Sequence, residues 1–280
     1  NKGIKIIVMI HSTKDPIAFP DKKLQNLADV FLKCSRILVH TPDDLNQLKD
    51  LGIVENTSIF PHGILDFHNR KVCYQNLLAK RSLFKDKNNN TKKIISSYGY
   101  CLPNKGFVEL IKAVSILRSK SFIVYLRLFC AIHSSPVSKE HHLELLDLID
   151  ELSIADQISL DNSFYSDQET LVKLSETDLI VYPYQKSNES SSASVRHGIA
   201  SGVPVLVTPI SIFKDVSSVV DLLPGTNESL IAQGIEDWYI EKFNNGVSQS
   251  VDQNLWREQH RFSKLGVRLQ GLIRAIEQDY

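Results

Sequence analysis

Two stretches carry residue types and spacings that can do chemistry. The first is Tyr182-Pro183-Tyr184-Gln185-Lys186-Ser187-Asn188-Glu189-Ser190-Ser191-Ser192. An apolar strand ends, a polar loop follows, and a helix begins. Serines at a helix start cap it and leave backbone N–H groups free. The positive end of the helix dipole then makes that tip an anion site. Glu189, just before it, repels phosphate but can grip a neutral polyol by accepting hydrogen bonds from its hydroxyls. The bland alternative is a serine-rich surface loop. The second stretch is Ser97-Tyr98-Gly99-Tyr100-Cys101-Leu102-Pro103-Asn104-Lys105-Gly106. A strand ends at a glycine, and Lys105-Gly106 opens a helix, which puts an ammonium group within reach of a phosphate. By itself that pairing is common.

These stretches lie about eighty residues apart, so only the fold can bring them together. Hydrophobic periodicity predicts strands at 4–10, 36–39, 57–60, 94–98, 122–130, 157–160, 179–182 and 204–207. The 4–10 run reads as a buried strand. Helices are predicted at 21–34, 41–51, 106–118, 139–152, 167–175, 191–200, 229–243 and 255–276. Thr41-Pro42-Asp43-Asp44 is a helix start, with Thr41 as cap, proline in the first turn and acids beside it. Strands that alternate with helices of this length imply parallel strands joined by crossover helices, hence a doubly wound α/β sheet. Ligands of such sheets sit beyond the carboxyl ends of the strands. The loops to inspect are therefore 11–15, 62–66, 98–105, 130–136 and 183–192. Residues 85–93 contain no apolar side chain and read as a linker or exposed loop.

Composition narrows the function classes. Of 280 residues, 32 are Lys or Arg and 32 are Asp or Glu, so the formal net charge is zero. That balance gives no electrostatic reason to expect nucleic acid as a partner. Cys34, Cys73, Cys101 and Cys130 form no C-x-x-C pair and read as reduced core thiols. No apolar run approaches the ~18 residues of a membrane span. Four Asn-x-Ser/Thr matches, at Asn56, Asn89, Asn188 and Asn227, are taken as chance in the absence of a signal-peptide pattern. Asn1 in place of Met points to a chain cut from something longer.

Four passages, in order, resemble the retaining glycosyltransferases of family 4, which have the GT-B fold. Ile37-Leu38-Val39-His40-Thr41 through Phe60-Pro61-His62-Gly63-Ile64 is similar to the family's strand, helix, strand, Pro-x-Asn-Gly passage. Tyr98-Gly99-Tyr100 through Lys105-Gly106 and Leu110-Ile111-Lys112-Ala113 is similar to its Gly-Arg … Lys-Gly … Leu-Ile-x-Ala passage. Residues 181–189 resemble Pro-Ser … Glu. His197-Gly198-Ile199-Ala200-Ser201-Gly202-Val203-Pro204-Val205 resembles Glu-Ala-Met-Ala-x-Gly-x-Pro-Val.

The resemblance assigns roles residue by residue. Glu189 takes the place of the first Glu of a Glu–seven residues–Glu motif that holds donor sugar hydroxyls. The second Glu, on the nucleotide ribose, falls at His197. Lys105 matches the lysine on the donor diphosphate, and the arginine paired with it falls at Tyr100 after Gly99. Arg196 is a replacement cation, or else a partner in a helix-surface salt bridge. Ser190 lies in the donor loop, and Ser191 and Ser192 match the backbone N–H groups that meet the distal phosphate. His11 matches a histidine that faces the donor sugar, with a capped loop histidine as the alternative. His141-His142 reads as a solvated face, His133 as a loop residue, His62 as structural and His260 as packing near Trp256.

The resemblance implies a GT-B enzyme with a partial N-terminal Rossmann-like lobe at 1–65 on the acceptor side. A complete nucleotide-sugar-binding lobe follows at 66–250, and a final helix at 251–280 returns to the first lobe. The expected reaction is retaining transfer from a GDP- or UDP-sugar to a glycan or lipid-linked acceptor, in bacterial polysaccharide or lipopolysaccharide assembly. The nucleotide-sugar is a substrate, so no cofactor is expected, and without Asp-x-Asp no metal. The expected location is cytoplasmic, with peripheral contact at the inner membrane face. The alternatives are a non-catalytic GT-B module and a sugar-nucleotide-modifying relative.

Overall fold

The computed structural model describes residues 4–15, 21–67, 93–243 and 251–278. Two parallel sheets organise them. β1 (Ile7–Ile10), β2 (Arg36–Val39) and β3 (Thr57–Ile59) form a three-stranded sheet in that order. β4 (Lys93–Tyr100), β5 (Val124–Ala131), β6 (Ile158–Asp161), β7 (Leu179–Tyr182), β8 (Val205–Val207) and β9 (Asp221–Leu222) form a six-stranded sheet. Its order is β6-β5-β4-β7-β8-β9, with every pair parallel. The helices between strands are α1 (Ala28–Phe31), α2 (Pro42–Asp50), α3 (Phe107–Ser119), α4 (Pro136–Glu151), α5 (Asp167–Ser175) and α6 (Ala193–Ser201), and α7 (Glu228–Trp238) follows β9. The chain closes with α8 (Val251–His260) and α9 (Phe262–Gln278).

Side chains that alternate along each strand feed two cores, because successive residues point to opposite faces. Leu179 and Val181 of β7 join Ile95, Leu126 and Leu110 on one face. Ile180 and Tyr182 join Val195, Ile199 and Val207 on the other. In the smaller sheet, Ile37 and Val39 pack on Leu48 and Ile53, while Leu38 faces Phe60 and Leu265 of α9. The last helix thus covers the outer face of the small sheet.

Three predicted elements change in the structure. The 4–10 run is not a buried strand: only Ile7–Ile10 is extended, and Ile4, Ile6 and Met9 are exposed because β1 is the sheet's outer strand. The 21–34 helix divides into a 3-10 turn at Leu24–Leu27 and the single turn of α1; Lys23 supplies no side-chain cap, so the start tightens. The 255–276 helix breaks at Arg261. There Ile64 donates its N–H to the His260 carbonyl at 2.8 Å, and Phe262 donates to the Ile64 carbonyl at 2.9 Å. A backbone bridge from a distant segment replaces helical bonds that periodicity alone would favour. The proposed linker at 85–93 lies outside the described residues except for Lys93, which begins β4.

Gly106 separates the 3-10 turn Pro103–Lys105 from α3 in a left-handed conformation (φ +74°). A Cβ there would lie 1.8 Å from the Pro183 carbonyl oxygen. Gly106→Ala is therefore expected to lower the unfolding free energy by at least about 2 kcal/mol. The measurement is the urea midpoint; an unchanged midpoint would show that the two loops part freely.

Candidate functional site

The strand order sets where a ligand can enter. From β4 the chain proceeds through β5 and β6 toward one edge, and from β7 through β8 and β9 toward the other. Registered pairing between β4 and β7 covers only Ile95–Leu179 and Ser96–Ile180, so the segments beyond their carboxyl ends bound a crevice at the topological switch point. These segments are the two stretches that the sequence singled out.

Lys105 is buried, and its Nζ lies 4.1 Å above the centre of the Tyr184 ring. No carboxylate pairs with it among the described residues. The Gln185 N–H donates to the Asn104 carbonyl at 3.0 Å and ties the two loops together. Tyr184 Oη stands 3.5 Å from Ser192 Oγ. Ser192 is the N-cap of α6: its Oγ accepts from the Val195 N–H at 3.3 Å. The helix therefore starts after Ser191 and Ser192 rather than at them. The first amides of α6 have no intrahelical acceptor. A Cβ on Gly99 would meet Ser194 Oγ at 3.5 Å and Tyr184 Oη at 3.8 Å, ordinary contact distances, which places Gly99 beside the same residues. Gly99, Lys105 and Ser192 thus share one crevice, which offers a cation, hydroxyls and free amides to an anion.

The preceding loop reaches the small sheet. Ser190 Oγ donates to Asp44 Oδ1 and stands 3.4 Å from Ser12 Oγ, while Ser12 Oγ donates to the Asn188 carbonyl at 3.0 Å. Asp44 also accepts from Thr13 Oγ1 at 2.7 Å and Thr41 Oγ1 at 2.6 Å. Burial pushes the Asp44 carboxyl up, but the bonds from Ser190, Thr41 and Thr13 together outweigh it and hold its pKa below the ordinary value. Glu189 is exposed; with Lys14, Asp43, Lys214 and Ser190 it lines a cleft of about 360 Å³.

Sequence reasoning missed a histidine cluster at the ends of β1, β2 and β3. His40 Nε2 lies 2.9 Å from His11 Nδ1, and His40 Nδ1 lies 3.0 Å from the Phe60 carbonyl. His62 stacks on His40 with ring centres 4.7 Å apart, and its Nδ1 is 2.7 Å from Ser191 Oγ. His62, read as structural rather than catalytic, thus touches the loop that precedes α6. Burial first, then the positive charge of Arg196 and the neighbouring imidazoles, push the His62 pKa down to about 2. The available signal was positional: each histidine follows a strand of one parallel sheet.

Arg196 fits neither expectation. It is not a surface residue, and it is not a free cation in the crevice, because its guanidinium is spent inside the protein. Nε donates to the His62 carbonyl at 3.1 Å, one terminal nitrogen to the Ser192 carbonyl at 2.9 Å, and the other to Asp215. His197 is tied to Asp167 (3.0 Å) and to the Ala193 carbonyl (3.1 Å), with Tyr98 beside its ring. Tyr100 is partly exposed and packs against His133 and Phe164. His141 is not solvated: it is buried and paired with Glu144 at 2.7 Å, because α4 turns this side of the helix inward. His142 is half-buried beside Cys101 and Cys130. His260 stacks on Trp256 at 3.8 Å. Cys34, Cys101 and Cys130 are free and buried, and Cys73 lies outside the described residues.

Arg196→Met leaves Asp215 buried without its partner and is expected to cost about 3–5 kcal/mol in urea unfolding. Unfolded His62 and His40 titrate near 6.5, whereas the folded residues have lowered pKa values and stay neutral below that. The unfolded chain then binds more protons, so stability falls as pH drops below about 6.5. Asp44 adds a loss in the same direction, as pH falls through its depressed value. His62→Asn is expected to flatten the slope of unfolding free energy against pH below 6.5; an unchanged slope would show that His62 is not held neutral.

Comparisons with known proteins bear on the family and the fold. The family model described as glycosyl transferases group 1 matches residues 79–245. Sucrose-phosphate synthase from Thermosynechococcus elongatus is similar in structure, with a TM-score of 0.74 at 14% identity over 98% of this chain and 68% of that one. Anabaena HepE, solved in complex with UDP and glucose, gives a TM-score of 0.71 at 13% identity over 98% of this chain and 72% of that one. A glycosyltransferase from Rickettsia africae gives 0.72 at 13% identity, over 98% and 71%. A search of curated proteins finds no match. At such identities the structural likeness establishes the fold, which is GT-B. The family match covers more than half of the chain, and the chain therefore belongs to the group 1 glycosyl transferases.

Proposed function

We propose that this chain carries the donor site of a retaining glycosyltransferase, which moves a sugar from a UDP- or GDP-sugar to a glycan or lipid-linked acceptor. One observation carries the reading. Lys105 is buried without a carboxylate partner among the described residues, beside the start of α6. An ammonium group on a buried stem, with no carboxylate beside it, attracts a counter-charge. A nucleoside diphosphate supplies it and spans the distance from lysine to helix tip. Support for a UDP-sugar comes from HepE, which was solved with UDP and glucose.

As the glycosidic bond breaks, charge grows on the departing diphosphate. Lys105 and the amides that follow Ser192 stabilise that charge more than the ground state, which is electrostatic catalysis. Glu189 accepts hydrogen bonds from donor sugar hydroxyls, Ser190 and Ser191 hold the loop, and His11 faces the sugar from the small sheet. In this reading Gly99 leaves room for the phosphates, His197 lies toward the ribose, and Tyr100 stands at the position of the family arginine. Arg196 acts through structure, holding the helix tip to the His62 carbonyl. The proposed division keeps 1–65 as the acceptor-side lobe, 66–250 as the donor lobe and 251–280 as the returning helix. Among the described residues no helix is long and apolar enough to cross a membrane. Action at the cytoplasmic membrane face, in bacterial polysaccharide assembly and without a metal, is part of the proposal.

One observation favours the non-catalytic alternative: with Tyr100 in place of an arginine and Arg196 paired to Asp215, the crevice has one cation fewer than the family pattern. Titration with UDP- and GDP-sugars decides. Saturable donor binding with slow donor hydrolysis is expected, and Lys105→Ala and Glu189→Ala should each lower turnover at least about 100-fold while leaving the urea midpoint nearly unchanged. Absence of nucleotide binding would sink the enzyme reading.

A further inference from the structure

The histidine cluster has a direction that can be deduced from its acceptors. The Phe60 carbonyl can only accept, so His40 Nδ1, 3.0 Å away, must carry a proton. His40 is buried among other positive or potentially positive groups. Burial lowers its pKa most; His11 and Arg196 lower it further, against the Phe60 carbonyl and Asp44, which raise it. With one proton on Nδ1, a neutral His40 has a bare Nε2. His11 Nδ1 lies 2.9 Å from that nitrogen and must be the donor. A neutral His11 then has its own lone pair on Nε2. That nitrogen has no hydrogen-bond partner among the described residues, and His11 is exposed.

The surroundings fix this arrangement. His62 stacks almost parallel to His40, with 21° between the rings, which holds the His40 ring plane. The ring nitrogens of His11, His40 and His62 lie within 4.8 Å of one another, and both nitrogens of His40 are engaged in the hydrogen-bond chain, Nδ1 at the Phe60 carbonyl and Nε2 at His11. His62 meets the loop before α6 at Ser191, and Ser12, the neighbour of His11 in sequence, donates to the Asn188 carbonyl of the same loop.

We propose that His40 is a positioning residue that accepts the Nδ1–H of His11 and so presents the exposed His11 Nε2 as a lone-pair acceptor to a sugar hydroxyl. This rests on the proposed reading of the chain as carrying a donor-sugar site. The hydroxyl donates and His11 accepts; no proton needs to be transferred. In water a free imidazole favours the opposite tautomer, with the proton on Nε2, and that form would turn an N–H toward the sugar. His40 therefore selects the minority tautomer.

The test is nitrogen NMR on protein labelled with 15N-histidine, at a pH where His11 is neutral. The expected spectrum shows His11 with a protonated Nδ1 and a bare Nε2. His40→Ala shifts it toward the Nε2–H form. His40→Gln places an amide oxygen where Nε2 stood and restores the wild-type pattern. In donor turnover, His40→Ala should lower kcat/KM about tenfold, and His40→Gln should recover most of it. A wild-type His11 with a bare Nδ1 would overturn the inference, as would a glutamine variant no better than alanine in both readouts. The spectrum does not depend on catalysis: a protein that binds no sugar-nucleotide but shows the expected tautomer refutes the functional reading while leaving the histidine chain standing.

Discussion

A lysine whose stem is buried holds its ammonium group where the surrounding fold puts it. In this protein that constraint fixes the cation at the crevice. Lys105 lies under two loops, one from β4 and one from β7, in a place where strand order reverses and the sheet cannot close over its own end. The loops are drawn together by the Gln185–Asn104 backbone bond and by a Gly106 that touches the Pro183 carbonyl. The lysine stays over the Tyr184 face, 4.1 Å from the ring centre, where the ring's electron density attracts the cation.

The loop that follows serves both lobes at once. Ser190 reaches Asp44, Ser12 reaches Asn188, and Ser191 reaches His62. Behind it, Arg196 links the His62 carbonyl of the small lobe to the Ser192 carbonyl of the large one, with Asp215 as its counter-charge. A guanidinium presents several donors in a fixed plane, which lets one side chain join three acceptors from different segments. The same commitment removes it from ligand binding. Here the fold puts a positive charge to structural use.

The alternation of strands and helices was legible from residues 36 to 207, because apolar spacing reports burial directly. β7 and α5 begin and end where the periodicity places them. So were the two loops of the crevice, since parallel sheets put ligand sites at strand ends. Less legible were elements whose limits depend on a remote partner. The break at Arg261 exists because Ile64 bonds across it, and the exposure of β1 comes from its place as an outer strand. No local pattern carries either fact.

The same division runs through the site. Sequence alone placed Gly99 near the end of one buried strand, and Lys105 and Ser192 at the helix starts that follow two of them, because hydrophobic runs, turn residues and helix caps are local properties of the chain. Tertiary structure alone decided what each charge faces. Arg196 lies seven positions from Glu189 yet turns inward to Asp215, and His11, His40 and His62, spread over about fifty positions, become one chain of rings. The physical reason is that a side chain's protonation and its partners are set by distances across the fold, and these depend on sheet register and packing rather than on neighbours in sequence.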